Sequence, residues 1–164
     1  MSAKGISLVW KIAICVFAVE FLGGASGILT SQSIAGWYAN LEKPPGNPPN
    51  WVFGPVWTAL YAMIGVSFAL NWHLGFEDKD GKRARLLFFV QMALNIAWTP
   101  MFFGLHQMLV ALVIIVLLWA TILATIIAFS KRSKLAAWLM VPYIIWVSYA
   151  TYLNAAYWFL NRGA

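Results

Sequence analysis

The chain has 164 residues, of which 62% are apolar and 10% are charged, and its formal net charge is +6. Soluble domains carry about 25% charged residues, so this composition excludes an ordinary soluble domain and indicates an integral membrane protein with one domain, residues 1–164. The basic residues lie in short loops between apolar runs, which is typical of membrane orientation and argues against a nucleic acid partner.

Five apolar runs are long enough to cross a bilayer, which takes about 20 helical residues. They cover residues 6–29, 52–72, 86–105, 108–129 and 135–160, and a loop of residues 30–51 joins the first two. The last four runs contain no Asp, Glu, Lys or Arg. None alternates with the period of two that barrel strands require. The sequence therefore predicts an all-α integral membrane protein, a bundle of five transmembrane helices.

The distribution of basic residues predicts the orientation of this bundle. With five spans, the N-terminus and the second and fourth loops share one side of the membrane. They carry nine of the eleven basic residues: Lys4, Lys11, Lys79, Lys82, Arg83, Arg85, Lys131, Arg132 and Lys134. We therefore expect the N-terminus to be cytoplasmic if the protein lies in an inner membrane, with loop 30–51 on the opposite side. We expect no cleavable signal peptide, since the first run has about 24 residues.

The first span carries an acid near its middle, Glu20. A carboxylate at that depth costs several kcal/mol unless it is neutralised or partnered, so Glu20 is either a functional group or a hydrogen-bonded structural one. Gly23 and Gly27 form a GxxxG pair that suits close helix packing, within the bundle or in a dimer. The chain's single cysteine, Cys15, lies in the same run and reads as a packed thiol.

The stretch Gly36–Tyr61 combines five of the seven prolines with three tryptophans and two tyrosines. Prolines fix φ and remove N–H donors, so this segment is stiff and extended. It is either an aromatic lid over a ligand or an anchor at the membrane interface. We expect the second helix to begin near Pro48 or Pro49, with Asn47 as its N-cap.

Aromatic and amide side chains recur at helical spacing in the second and third spans. Trp57 and Tyr61 are four residues apart and share a face. Gln91, Asn95 and Trp98 lie at i, i+4 and i+7, and amides in hydrocarbon need partners from another helix or from a ligand.

Prolines should bend two of the spans. Pro100 in the third span and Pro142 in the fifth each remove a helical hydrogen bond. The fifth span also carries a stripe that should face the bundle interior: Trp146, Tyr149, Ala150, Leu153 and Asn154. The fourth span has few polar residues and reads as scaffold.

Motifs for ordinary enzyme chemistry are absent from the sequence. There is no phosphate-binding glycine loop, no HExxH and no Cys/His cluster. His73 and His106 fall at opposite sides of the membrane and read as interfacial residues. We therefore predict no metal site, no required cofactor and no firm catalytic residue. The aromatic surfaces and amides instead suit a large planar or steroidal ligand.

Three segments together resemble one known family. The runs WYANLEKP…NPPNWVFGPVWTALY, QMALNIAWTPMFFG and VPYIIWVSYATYLN are similar to those of the tryptophan-rich sensory protein or translocator protein family (TspO, the peripheral-type benzodiazepine receptor). The resemblance implies a five-helix bundle in the lipid bilayer, usually a homodimer, with a pocket under the loop between the first two helices. It implies porphyrin as the ligand, such as protoporphyrin IX or a haem-like tetrapyrrole, and isoquinoline or benzodiazepine drugs as further ligands.

The resemblance also implies which residues line the pocket. The family's ligand-binding positions fall on Tyr38, Trp57, Tyr61, Gln91, Asn95, Trp98, Trp146 and Ala150. Trp146 matches the tryptophan linked to porphyrin photochemistry, with Trp57 as a second candidate. Glu20 receives no role from the resemblance.

The chain departs from the family pattern at two places. Gly46 stands where many members have a tryptophan in the loop. Ala155 and Phe159 stand at the tyrosine and arginine positions of the sterol motif that animal members carry, so we do not expect sterol as the native ligand. This degenerate motif and the lack of a transit peptide favour a bacterial membrane.

Three functions remain open at the level of sequence. The first is a porphyrin-binding receptor or transporter with a regulatory or stress-sensing role. The second is an enzyme that degrades porphyrin with light and oxygen, through Trp146 or Trp57. The third is a scaffold that acts through a partner protein.

Overall fold

The computed structural model describes residues 5–163, and in that part of the chain every regular element is helical. The α-helices are α1 Leu8–Ile34, α2 Phe53–His73, α3 Lys79–Thr99, α4 Met108–Ser130, α5 Lys134–Leu139 and α6 Val141–Asn161. Within this described part, five helical segments are long and apolar enough to cross a membrane, the fifth being α5 and α6 together. The predicted five-helix membrane fold is thus confirmed. Lys4, part of the predicted charge asymmetry, lies outside the described residues.

Two helix ends lie several residues beyond the predicted apolar runs. α1 continues to Ile34, and its Thr30 and Ser31 hydroxyls donate to the carbonyls of Ser26 and Ile28 at 3.5 and 2.8 Å. α3 begins at Lys79, because Asp78 caps it by accepting from the Gly81 N–H at 3.1 Å. These helices extend past their apolar runs into polar residues. A prediction based on hydropathy alone therefore misses the terminal turns.

The second span begins at Asn50, close to the predicted start near Pro48 or Pro49, but its capping differs from the prediction. A 3₁₀ turn, Asn50–Val52, precedes α2, and no side chain caps that turn. The prediction that Asn47 is the N-cap is therefore wrong. Its amide is instead bonded to tyrosines of the loop and of α6.

Both interior prolines interrupt regular helix, as predicted. After α3 the chain forms a π-helical turn, Pro100–Gly104, in which the Leu105 N–H donates to the Pro100 carbonyl at 2.8 Å. In the fifth span α5 ends at Leu139 and α6 begins at Val141, just before Pro142. The π-helical turn after α3 and the break between α5 and α6 occur where proline cannot donate the regular helical hydrogen bond.

The core lies where α2 to α6 converge, and the outer faces are apolar. Ile64, Ile122, Tyr143 and Val147 are fully buried in the main core. The Ser67 hydroxyl donates to the Ala136 carbonyl at 2.7 Å, which fastens α2 to α5 inside the bundle. Apolar side chains on the outside are expected for a protein solvated by lipid.

Two glycines set the approach of α1 to α2. A Cβ added at Gly65 would lie 2.7 Å from Val16 Cα, so the backbones of the two helices are nearly in contact. A Cβ added at Gly23 would clash with the Tyr61 ring. Of the alternatives that the sequence left open for the small residues of α1, packing within the bundle applies to Gly23.

We expect Gly65→Ala to destabilise the protein. The new methyl would force α1 away from α2, and overpacking of this kind costs about 1–3 kcal/mol. Thermal unfolding followed by tryptophan fluorescence in detergent should show a lower midpoint.

The matched control is Gly54→Ala in the same helix, where an added Cβ has nothing within 4 Å. Its midpoint should stay unchanged or rise, since alanine favours helix. Equal effects of the two variants would contradict the close contact at Gly65.

Candidate functional site

A cavity of about 410 Å³ lies between α1, the start of α2, the end of α3 and α6. The middle of its α1 wall is made of small residues, Gly23, Gly24, Ser26 and Gly27. A Cβ added at Gly24 or Gly27 would have nothing within 4 Å. The missing side chains on this helix therefore leave part of the open volume.

Tryptophans and a tyrosine form the aromatic wall of the cavity. Trp57 stacks on Tyr61 with ring centroids 5.3 Å apart, and it meets Trp146 edge-on at 6.5 Å. All three line the cavity together with Ala150, whose methyl group leaves room beside Trp146. Offset or edge-on contacts of this kind keep aromatic rings in fixed positions.

A chain of buried hydrogen bonds holds this wall from behind. The Tyr61 hydroxyl donates to Asn95 Oδ1 at 3.0 Å, and Asn95 Nδ2 donates to the Tyr143 hydroxyl at 2.7 Å. The Tyr143 hydroxyl in turn donates to Gln91 Oε1 at 2.9 Å. The Asn95 amide and the Gln91 amide oxygen thus find partners in α2 and α6, and Asn95 positions Tyr61.

The Asn154 amide of α6 positions Trp98 at the end of α3. The Trp98 indole N–H donates to Asn154 Oδ1 at 2.9 Å, and Asn154 Nδ2 donates to the Met108 carbonyl at 2.8 Å. Asn154 therefore joins α3, α4 and α6 beside the cavity. Phe102 and Phe103 of the π-helical turn complete this side of the wall.

The loop between α1 and α2 is fastened to α6 by tyrosines. The hydroxyls of Tyr38 and Tyr157 lie 2.8 Å apart and share Asn47 Oδ1, at 3.2 and 2.8 Å. Burial raises the pKa of the Tyr38 phenol, so this hydroxyl stays neutral and can donate at physiological pH. The loop is therefore closed over a buried polar cluster, which we call the Tyr38–Asn47–Tyr157 cluster.

Further bonds along α6 hold the same loop. Tyr149 donates to the Gly46 carbonyl, and Tyr152 donates to the Pro45 carbonyl at 2.8 Å. The Asn161 amide bonds both the N–H and the carbonyl of Glu42, at 2.8 and 3.0 Å. Gly46 has φ +78°, a backbone conformation that a tryptophan would adopt only under strain. The backbone of this loop therefore suits the glycine that stands where many family members have a tryptophan.

The structure brings five of the eight predicted site residues to the cavity: Trp57, Tyr61, Trp98, Trp146 and Ala150. The other three, Tyr38, Gln91 and Asn95, are buried behind the wall or in the loop cluster. They support the cavity through hydrogen bonds and do not line it.

Several residues of the wall were not among the predicted site residues. Glu20, Phe102, Phe103 and Tyr157 all line the cavity. The intramembrane position of Glu20 was a signal that could have placed it there, and so was the small-residue pattern beside it. Nothing in the sequence distinguished the two phenylalanines from the many other apolar residues of the third span.

These features define a multi-pass, all-helical membrane protein with a cavity inside a five-span bundle. The chain belongs to the TspO/MBR family, whose model matches residues 12–159.

Relatives from different domains of life match most of this chain. It is 40% identical to the tryptophan-rich protein TspO of Archaeoglobus fulgidus over 151 residues, which are 92% of this chain and 97% of the relative. It is 38% identical to the translocator protein of Sus scrofa, covering 94% and 92% of the two chains. Identity to the tryptophan-rich sensory protein of Cereibacter sphaeroides is 40%, over 72% of each chain.

We expect Tyr157→Phe to loosen the loop without unfolding the bundle. Loss of the hydroxyl removes its contacts with Tyr38 and Asn47, and a net loss of about 1 kcal/mol raises the opening equilibrium of the loop about fivefold. Amide hydrogen exchange measured by mass spectrometry should be faster at Leu41 and Asn47, whose N–H groups bond to Tyr38 and Pro44.

Thr151→Val serves as the control, because the Thr151 hydroxyl bonds only within α6, to the Val147 carbonyl. Loop exchange in this variant should equal that of the wild type. Unchanged exchange in Tyr157→Phe would show that the Tyr38–Asn47–Tyr157 cluster does not hold the loop.

Proposed function

We propose that this protein is a membrane receptor or sensor that binds porphyrins, such as protoporphyrin IX, in the cavity between α1, α2, α3 and α6. The observation that carries the proposal is the stacked pair Trp57–Tyr61, which lies on the wall of a cavity of about 410 Å³. Ligand sites commonly enclose about 300–1,000 Å³ and are lined by aromatic side chains with few polar groups. Family membership and the relative named as a sensory protein support this role.

The shape of a porphyrin suits this wall. Its flat apolar ring can stack on indole and phenol rings, and such aromatic contacts contribute about 0.5–1.5 kcal/mol each beyond area burial. Its carboxylates belong at the polar end of the cavity, where Asn50 and Ser31 lie near the loop. Binding requires no metal or further cofactor from the protein.

The proposal includes an orientation and an assembly. The loops that follow α2 and α4 meet at one end of the bundle, where Arg132 donates to the Gly75 carbonyl and lies 4.0 Å from Asp78. If the protein lies in a bacterial inner membrane, these basic loops face the cytoplasm and the porphyrin end of the cavity lies on the opposite side. The protein is proposed to form a homodimer, as the family resemblance implies.

Trp57→Ala should weaken porphyrin binding about tenfold or more, which corresponds to about 1.4 kcal/mol. The variant removes the ring that stacks on Tyr61 and faces the cavity. Protoporphyrin IX is titrated in the dark into purified protein, and binding is followed by the porphyrin's own absorbance so that a missing tryptophan does not change the signal.

Two further variants make this titration decisive. Trp138→Ala removes a tryptophan that is 70% exposed on the outside of the bundle, and its affinity should match the wild type. Ala150→Leu adds bulk to the cavity wall and should weaken binding without removing an aromatic ring. Non-saturating binding that is equal in all four proteins would mean partition into detergent and would overturn the proposal.

The position of Trp146 favours a second candidate function, light-dependent breakdown of the bound porphyrin. Its indole lies on the cavity wall, 6.5 Å from Trp57, where it could give an electron to an excited porphyrin. Illumination in the presence of oxygen should then produce new absorbance bands in the wild type and in Trp138→Phe but not in Trp146→Phe. Identical bleaching in all three proteins, or none, would leave binding as the whole activity.

A further inference from the structure

Glu20 is the carboxyl group on the wall of the cavity, and no group of residues 5–163 bonds to its side chain. It lies near the middle of α1 and is half-buried. In the part of the chain that the structure describes, the ion pair found is Arg132–Asp78, and Glu20 makes no side-chain hydrogen bond. A carboxylate within the hydrocarbon region without a partner is costly, so Glu20 is either protonated or paired with a group that a ligand supplies.

Two polar groups of α2 that line the cavity together with Glu20 already have hydrogen-bond partners. The Tyr61 ring packs against Gly23, one turn from Glu20, but its only hydroxyl proton goes to Asn95. The Thr58 hydroxyl on the opposite wall donates to the Gly54 carbonyl of its own helix. These donors leave the carboxylate facing the cavity without a counterpart.

No cationic side chain reaches Glu20 from the packed elements either. Between Phe53 and Trp72 in α2, and throughout α6, the sequence contains no charged residue. The charged residues of α3 are confined to residues 79–85 at its start. On α1 itself Lys11 is nine residues away, about 13 Å along the helix, and its ammonium lies over the Trp72 ring.

We propose that Glu20 receives the protonated nitrogen of an apolar amine, so that the cavity binds hydrophobic amines with a flat aromatic body. The amine nitrogen pairs with the carboxylate in a region of low dielectric, where opposite charges attract strongly. The body of the ligand packs on the Trp57–Tyr61 wall, and an aromatic face beside the nitrogen adds attraction to the cation.

This ligand class differs from a porphyrin by the sign of its charge. A porphyrin carries carboxylates, which Glu20 would repel, whereas an amine matches it. The inference uses the cavity of the proposed function but does not require that porphyrin bind there, so each can fail while the other stands.

The test compares two probes of nearly equal size and shape, 9-(methylaminomethyl)anthracene and 9-anthracenemethanol. Each is titrated into purified protein in neutral detergent at pH 7, and binding is followed by the change in anthracene fluorescence. The wild type should bind the amine about tenfold or more tightly than the alcohol. Glu20→Gln should bind both probes with the weaker affinity of the alcohol.

Glu77→Gln is the matched control, since it removes the same charge from an exposed position outside the cavity. It should keep the preference for the amine. Equal binding of both probes by the wild type would overturn the inference even if Glu20→Gln does not fold. A preference that survives in Glu20→Gln, or that is lost in Glu77→Gln, would overturn it as well.

Discussion

The contact between α1 and α2 determines where this bundle has open space. At Gly65 the two backbones almost touch, and at Gly23 the Tyr61 ring fills the gap. One turn further toward the loop, at Gly27, α1 faces empty volume. Small residues of α1 thus have two effects. At Gly23 the lack of a side chain allows close packing, and at Gly27 it leaves a cavity, because α2 does not fill the space there. A bulkier α1 would give a tighter bundle with less room for a ligand.

Hydrogen bonds inside the bundle then fix the side chains that surround this space. Gln91, Tyr143, Asn95 and Tyr61 form one chain across three helices. A polar group left unbonded in hydrocarbon costs several kcal/mol, so alternative packings that break this chain are strongly disfavoured. The aromatic wall is therefore held in one arrangement by Gln91, Asn95 and Tyr143, which do not line the cavity.

The sequence was sufficient for the fold and for part of the site. Uncharged apolar runs predict the spans because lipid imposes one requirement on every residue of a run. Helical spacing correctly grouped Gln91, Asn95 and Trp98 on one interior face. Spacing shows which face of a helix a residue lies on, but not whether its side chain reaches a cavity. It therefore could not show that, of these three residues, only Trp98 lines the cavity. The Asn47 cap failed for a similar reason. Local rules favoured a helix cap, whereas the buried hydroxyls of Tyr38 and Tyr157, distant in sequence, bind that amide.

Tyr157 belongs to two parts of the molecule at once. Its ring lines the cavity, and its hydroxyl holds the loop on the membrane surface. An occupant that shifts this ring also weakens the anchor of the loop, and a protein that pulls the loop away also reshapes the cavity. Because such coupling is reciprocal, the two events alter each other's affinity by the same factor. One phenol thus links the shape of the cavity to the position of the loop.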